Sequence, residues 1–143
     1  MSGRTTLGIV KPDAVAAGNL GNILAHLERE GYRIRAGRLH RLTAPQAAAF
    51  YEVHRGRPFY DELCSFMSSG PCFPMALERD DAVKAFRTTI GSTDPADAAP
   101  GTIRKLFAES KGKNAVHGSD SDENAAREIA FFFTESELAG LWG

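Results

Sequence analysis

Apolar positions along this chain fall into short blocks whose spacing switches between two periods. Residues 5–11 carry Leu7, Ile9 and Val10 among small residues and stop at Lys11-Pro12-Asp13, the composition of a buried strand closed by a proline. Leu20, Ile23, Leu24 and Leu27 then fall at i, i+3, i+4 and i+7, which predicts an amphipathic helix ending near Gly31. Tyr32, Ile34 and Ala36 alternate with Arg33 and Arg35, the signature of a half-exposed strand. After Gly37 the apolar parity moves to Leu39, which predicts a bulge at that point.

The second half repeats the alternation. A helix opening at Thr43-Ala44-Pro45 carries Phe50 and Tyr51, and residues 59–67 form a second short helix. Residues 71–78 have strand composition, with Pro74 expected to disturb the ladder. Residues 80–89 are helical with Val83 and Phe86 inward, 91–101 form a long loop, and 102–110 resume a helical turn or two. Ala115-Val116 is the last strand, and Ala125, Ile129, Phe132 and Phe133 make the apolar face of the last main helix. The order β-α-β-α-β-α-β-α has no repeat, low-complexity tract or linker. It fits one domain over residues 1–143, an α/β sandwich with helices packed on a four-stranded sheet.

Composition narrows the function classes. Hydrophobic residues at 43% and charged residues at 24% suit a soluble globular protein. A net charge of −1 supplies no global basic field, so a polyanion has to be held by a local cluster. Cys64 and Cys72 lack Cys-x-x-Cys spacing and a neighbouring histidine pair, so free thiols in a reducing compartment are expected rather than a metal or redox site. No signal-peptide or membrane-spanning run is present, and a cytoplasmic location is expected.

The chemistry concentrates at residues 114–121, Asn-Ala-Val-His-Gly-Ser-Asp-Ser. His117 falls at a strand-to-helix corner, Gly118 lets the backbone turn sharply there, and Ser119, Asp120 and Ser121 are helix N-cap residues. A histidine so placed can be a nucleophile when a partner orients one ring nitrogen and leaves the other free; Glu128 is the available carboxylate. Taken alone, the same residues also read as a turn histidine beside an ordinary cap. No Walker loop exists, because Gly112-Lys113 is followed by Asn114 and Phe107 takes the place of the first glycine. Lys11, Arg87 and Arg104 nevertheless sit beside turns and could clamp phosphates, with Thr93 and Asn114 in support; a solvated surface role is the alternative for each. Phe59, after Pro58, could stack on a base or make a plain core contact.

Lys11-Pro-Asp, Arg57-Pro-Phe-Tyr60, Thr93-Asp-Pro with Pro100-Gly-Thr-Ile-Arg104, and Asn114 with His117-Gly-Ser-Asp-Ser closely resemble the nucleoside diphosphate kinases, in order and spacing from about Thr5 to about Phe133. The fold expected is therefore α/β (α+β), a ferredoxin-like sandwich with a four-stranded antiparallel sheet. The resemblance implies that His117 is transiently phosphorylated, that Glu128 holds its ring, and that Ser119 is hydrogen-bonded to Glu128. It implies that Lys11 reaches the transferred phosphate and the sugar, and that Asn114 reaches the ribose hydroxyl. Arg87, Thr93 and Arg104 would clamp the outer phosphates, with Tyr51 near the catalytic ring. Phe59 would stack on the base and Leu63 line the opposite side. His54 lies near this site and has no role assigned.

The implied reaction is ping-pong phosphoryl transfer between nucleoside tri- and diphosphates, with weak base selectivity and with Mg²⁺ arriving on the nucleotide rather than in a carboxylate cage. No membrane or nucleic acid is required. A catalytically silent nucleotide- or nucleic-acid-binding module would keep Phe59 and the cations but would not need His117 with Glu128. A serine hydrolase would need a G-x-S-x-G elbow, which is missing. The family also implies a homo-oligomer of dimers, tetramer or hexamer, with the hexamer favoured. Two departures stand out: Pro74 replaces an ordinary apolar strand residue, so a bulged strand is expected, and the sequence stops at Leu141-Trp142-Gly143, shorter than members whose tail wraps a neighbour. An exposed Trp142 would need cover.

Overall fold

Four strands form one antiparallel sheet in the computed structural model, which describes residues 3–142 and, within the last helix, side chains only as far as Ala139. The strands are β1 (Thr5–Val10), β2 (Arg33–Gly37), β3 (Phe73–Glu78) and β4 (Val116–Gly118), in the order β2-β3-β1-β4. The helices are α1 (Pro12–Ala16), α2 (Leu20–Arg29), α3 (Ala44–Phe50), α4 (Tyr60–Met67), α5 (Ala82–Ile90), α6 (Ile103–Phe107), α7 (Asp122–Phe132) and α8 (Glu135–Trp142), with 3-10 turns at Glu52–His54 and Pro95–Asp97. Of these, α1 and α8 were not predicted. Pro12 does end β1, but it also occupies the first turn of α1, where its missing N–H is no loss.

Period-two alternation splits the core in two. Leu7 and Ile9 of β1 and Ala76 of β3 face a cluster with Phe50, Tyr51, Met67, Ile129 and Phe132. Val10, Met75, Leu77 and Val116 face the other way, against Ile23, Leu27, Phe86, Ile90 and Ile103. The predicted stripe of α2 is the buried one. Thr43 caps α3 in a reciprocal box with Gln46, and the Ser121 hydroxyl accepts from Asn124 N–H to start α7.

Two expectations about the sheet fail. The irregularity in β2 lies between Ile34 and Ala36, not after Gly37. Pairing beyond Gly37 resumes only at the single bridge of His40 with Cys72. Pro74 does not bulge β3, whose register against β1 runs unbroken from Thr5↔Glu78 to Val10↔Phe73. The N–H and C=O of a strand residue point to one edge. The Pro74 carbonyl accepts from Arg38 N–H at 3.3 Å on the β2 side, so its missing donor falls where β2 has already departed. Arg35 of β2 donates to Glu78 on the neighbouring β3 at 3.1 Å and to the Leu138 carbonyl on α8 at 3.1 Å. Cys64 and Cys72 are free thiols. The Trp142 side chain lies outside the described residues.

Gly118 does not serve the purpose expected of it. It is paired directly with Gly8, and an ideal Cβ at Gly118 would lie 2.9 Å from Phe86 Cδ2, while one at Gly8 would lie 2.8 Å from Phe86 Cζ. The two glycines form a floor for the fully buried Phe86 ring of α5. Its backbone is an ordinary strand and the reason for glycine is close packing. Overpacking of this kind typically costs about 1–3 kcal/mol. Gly118→Ala should lower unfolding stability by that amount in chemical denaturation, and Phe86→Leu in the same chain should recover part of the loss.

Candidate active site

His117 is the middle residue of β4, opposite Ile9, rather than a corner residue after the strand. Because Gly118 and Val116 face α5, His117 faces α3 and α7. There α7 presents Ala125, Glu128, Ile129 and Phe132 at i, i+3, i+4 and i+7, all buried. A carboxylate inside such an apolar stripe is tolerable only with hydrogen-bond donors. It has two: His117 Nε2 lies 2.8 Å from Oε1, and Ser119 Oγ donates to the same oxygen at 2.8 Å. Burial pushes the Glu128 carboxyl up, but these two donors, with Arg127 at 3.8 Å from Oε2, bring the net below the usual carboxylate range. An ionised carboxylate can only accept, so Nε2 carries the ring proton and Nδ1 carries the lone pair. The ring is held edge-on by Phe50 at 5.4 Å and Tyr51 at 6.0 Å between centroids. The Tyr51 phenol is fully buried, held in its protonated form by burial and by Glu128.

Next to this ring lies a cationic group built without a glycine loop. Lys11 Nζ donates to Asn114 Oδ1 at 2.8 Å, and Asn114 Nδ2 donates to the Thr93 carbonyl at 3.3 Å. Arg104 Nε, Nη1 and Nη2 donate to the carbonyls of Asn114, Gly91 and Val116 at 3.3, 2.9 and 2.8 Å. Arg87 and Thr93 are exposed and share with Arg104 a cavity of about 480 Å³. Burial, then Arg104, push Lys11 down to about 8 against an opposing pull from Asp13; burial and Arg87 push Arg104 down to about 10. Cations crowded together in a partly dry place are a standing attraction for a polyanion.

Ala115, not glycine, makes the sharp turn. Its φ is +72°, and Val116 N–H donates to the Asn114 carbonyl at 2.8 Å, closing a three-residue turn of the strained kind. The left-handed region costs an alanine about 1–2 kcal/mol. On the far side, Tyr51 stacks on His54 at 6.2 Å and His54 meets Phe59 at 5.3 Å, so an aromatic run leads from the His117 ring through Tyr51 to Phe59. Phe59 is 47% exposed and free to take a flat ring, while Leu63, half-buried on α4, packs against the core.

The structure thus brings His117, Glu128, Ser119 and Tyr51 into one contact set, and Lys11, Asn114, Thr93 and Arg104 into a second. Phe59 joins them through His54, which had no role assigned; Arg87 lies at the cavity. Sequence reasoning missed Phe50 against the imidazole and Arg127 beside Glu128. It also missed Asp13, whose Oδ2 accepts Ala115 N–H at 3.1 Å, and the hold of Arg104 on backbone carbonyls. The only signals were Phe50 next to Tyr51 and Asp13 within the Lys-Pro-Asp motif.

The profile of the family described as nucleoside diphosphate kinase matches residues 4–138. The chain belongs to this family. It is 59% identical over 133 residues to the nucleoside diphosphate kinase of Chlorobaculum parvum, covering 93% of this chain and 95% of that one. It is 53% identical to that of Syntrophotalea carbinolica, covering 93% and 97%. Among solved structures, the Aquifex aeolicus nucleoside diphosphate kinase superposes with a TM-score of 0.93 at 49% identity, covering 94% of this chain and 98% of that one. The Halobacterium salinarum enzyme in complex with CDP gives 0.89 at 41% identity, covering 96% and 91%. The sheet with its helices has the ferredoxin-like α+β architecture of these family structures.

The Lys11 environment yields a pH dependence for this family member. Its charge is present below about pH 8 and lost as pH rises through that value. Affinity for a nucleoside diphosphate, measured by titration calorimetry, should weaken from about pH 8 upward, and Lys11→Gln should bind more weakly with that slope removed. Stability should move the other way. Folding holds Lys11 below its ordinary value of 10.5, so the unfolded chain binds the extra proton and stability rises between about pH 8 and 10.5.

Proposed function

We propose that the chain passes the terminal phosphoryl group of a nucleoside triphosphate to a nucleoside diphosphate by a ping-pong route, with His117 as the carrier. The observation that carries this reading is the imidazole pinned through Nε2 to an ionised, buried Glu128, which leaves Nδ1 as the nucleophile. The Nδ1 lone pair attacks the terminal phosphorus, the bond to the bridging oxygen breaks, and the diphosphate leaves with that electron pair. A terminal oxygen of a second diphosphate then attacks the same phosphorus and the N–P bond breaks, restoring the neutral ring. The Nε2 proton stays on the ring throughout, donated to Glu128, and the negative charge of that carboxylate stabilises the imidazolium-like intermediate. Lys11, Arg87 and Arg104 neutralise charge on the phosphates, and Thr93 supplements them. Asn114 meets the ribose. Phe59 and Leu63 receive the base by stacking and apolar contact, with no base-edge reader, which suits broad base use.

Family members act on nucleoside phosphates and generally need a divalent cation. We take it to be Mg²⁺, which would be carried on the nucleotide phosphates and would draw charge off them. No group of three or more His, Cys, Asp or Glu among the described residues could hold an ion, and the site offers cations and an amide instead. That donor set suits an ion delivered on the phosphates. A silent binding module is not favoured beside the family match and the Glu128-held ring. Among the described residues no helix is long and apolar enough to cross a membrane; a cytoplasmic enzyme is our reading, supported by the two free thiols.

Incubation with γ-labelled ATP should give phosphoprotein that acid destroys, alkali spares and a nucleoside diphosphate discharges. His117→Ala should bind nucleotide but take no label, and equal labelling of that variant would overturn the assignment. Glu128→Gln should slow labelling by about 10–100-fold without abolishing it, the size expected for loss of an orienting partner.

A homo-oligomer built from dimers, tetramer or hexamer, is the proposed assembly. It is supported by β2 being an edge strand with an irregular register, a place where a second chain can pair. Light scattering after size exclusion should give a multiple of the dimer mass; a monodisperse, active monomer at micromolar concentration would exclude it.

A further inference from the structure

The turn at Ala115 is an anomaly that the reaction as described leaves unexplained. Among the described residues, Asp81 is the only other non-glycine with positive φ. Ala115 is fully buried and sits between Asn114 and the strand that carries His117, so any relaxation there moves both. Three groups hold it in place. Lys11 N–H donates to the Ala115 carbonyl at 2.8 Å, Arg104 donates to the carbonyls on either side, and the Asp13 carboxylate accepts the Ala115 N–H at 3.1 Å. The Lys11–Asp13 segment thus takes both polar groups of Ala115 while Lys11 Nζ reaches the Asn114 side chain at 2.8 Å. Without the Asp13 carboxylate, the Ala115 N–H would be a buried donor with no acceptor in a conformation that alanine disfavours. The other Asp13 oxygen is buried with no hydrogen-bond partner, so the bond to Ala115 N–H is the one hydrogen bond shown for this side chain among the described residues, beside the pull of its charge on Lys11.

We propose that Asp13 is a positioning residue for phosphoryl transfer: its carboxylate locks the left-handed Ala115 turn and thereby sets His117 and Asn114 relative to Lys11. It acts through these residues and touches no substrate. This rests on His117 being the phosphoryl carrier.

The test exploits glycine, which adopts positive φ without strain and so needs the lock less. Single-turnover phosphorylation by saturating ATP is measured for the wild-type chain, Asp13→Ala, Asp13→Asn, Ala115→Gly and the double variant Asp13→Ala/Ala115→Gly, with nucleotide affinity and melting temperature alongside. Asp13→Ala should slow phosphorylation by about 10–100-fold, with a smaller change in affinity. Asp13→Asn, which keeps an acceptor for the Ala115 N–H, should stay nearer the wild-type rate. The double variant, referred to Ala115→Gly, should recover most of the lost rate. An unchanged rate in folded Asp13→Ala, or a double variant as slow as Asp13→Ala, overturns the proposal. If Asp13→Ala does not fold, Asp13→Asn and the double variant decide it. A wild-type chain that takes no label defeats the carrier reading instead.

Discussion

The pairing of β4 with β1 is the constraint on which the rest of the site depends. Only three residues of β4 are in the sheet, and their register sets Gly118 against Gly8 and His117 against Ile9. The glycine pair admits the Phe86 ring on one face, and no other residue could occupy those positions without a contact near 2.8–2.9 Å. Alternation then leaves the imidazole no choice but the opposite face, where α7 has a carboxylate in its buried stripe. A slip of one residue would bury the histidine against α5 and take from the buried Glu128 the hydrogen bond of the ring, which is far more costly than local repacking. Packing on one side of the sheet therefore fixes chemistry on the other.

Electrostatics completes the site. Glu128 is kept ionised by two short donors in spite of burial, and that settles the imidazole tautomer without a metal or a second base. Beside it Lys11 and Arg104 are held in partly dry surroundings, where Arg104 raises the cost of charge on Lys11 and Arg87 raises it on Arg104. Three guanidinium nitrogens of Arg104 are tied to backbone carbonyls, so the arginine fixes the loop before any anion arrives. A cluster prepared in this way gains most when a polyphosphate relieves its mutual repulsion, which is what the proposed transfer requires.

Much was legible from pattern alone. The alternation at Leu7 and Ile9, the i, i+3, i+4, i+7 stripe of α2 and the apolar face of α7 each correspond to buried positions. The Ser121 cap and the Glu128 partner were legible too, because caps and charged residues in apolar stripes have local signatures. The errors share a cause. Pro74 and Gly118 were read by what each residue does to its own backbone, whereas their neighbours decide their effect: the departure of β2 beside Pro74, and the Phe86 ring over Gly118. Ala115 carried no signal, since nothing about an alanine announces a left-handed turn.

By itself the sequence determined which segments alternate, where the main amphipathic helices lie, and which residue types, histidine, carboxylate, lysine and arginines, stand ready for phosphate chemistry. These follow from periodicity and from side-chain chemistry, which are local properties. Only the tertiary structure decided which imidazole nitrogen is free, that Arg104 grips backbone carbonyls, and that Asp13 on α1 holds the turn beside β4 from 102 positions away in the chain. Those facts depend on contacts between distant segments, and no spacing along a single chain encodes the direction in which a side chain meets its partner.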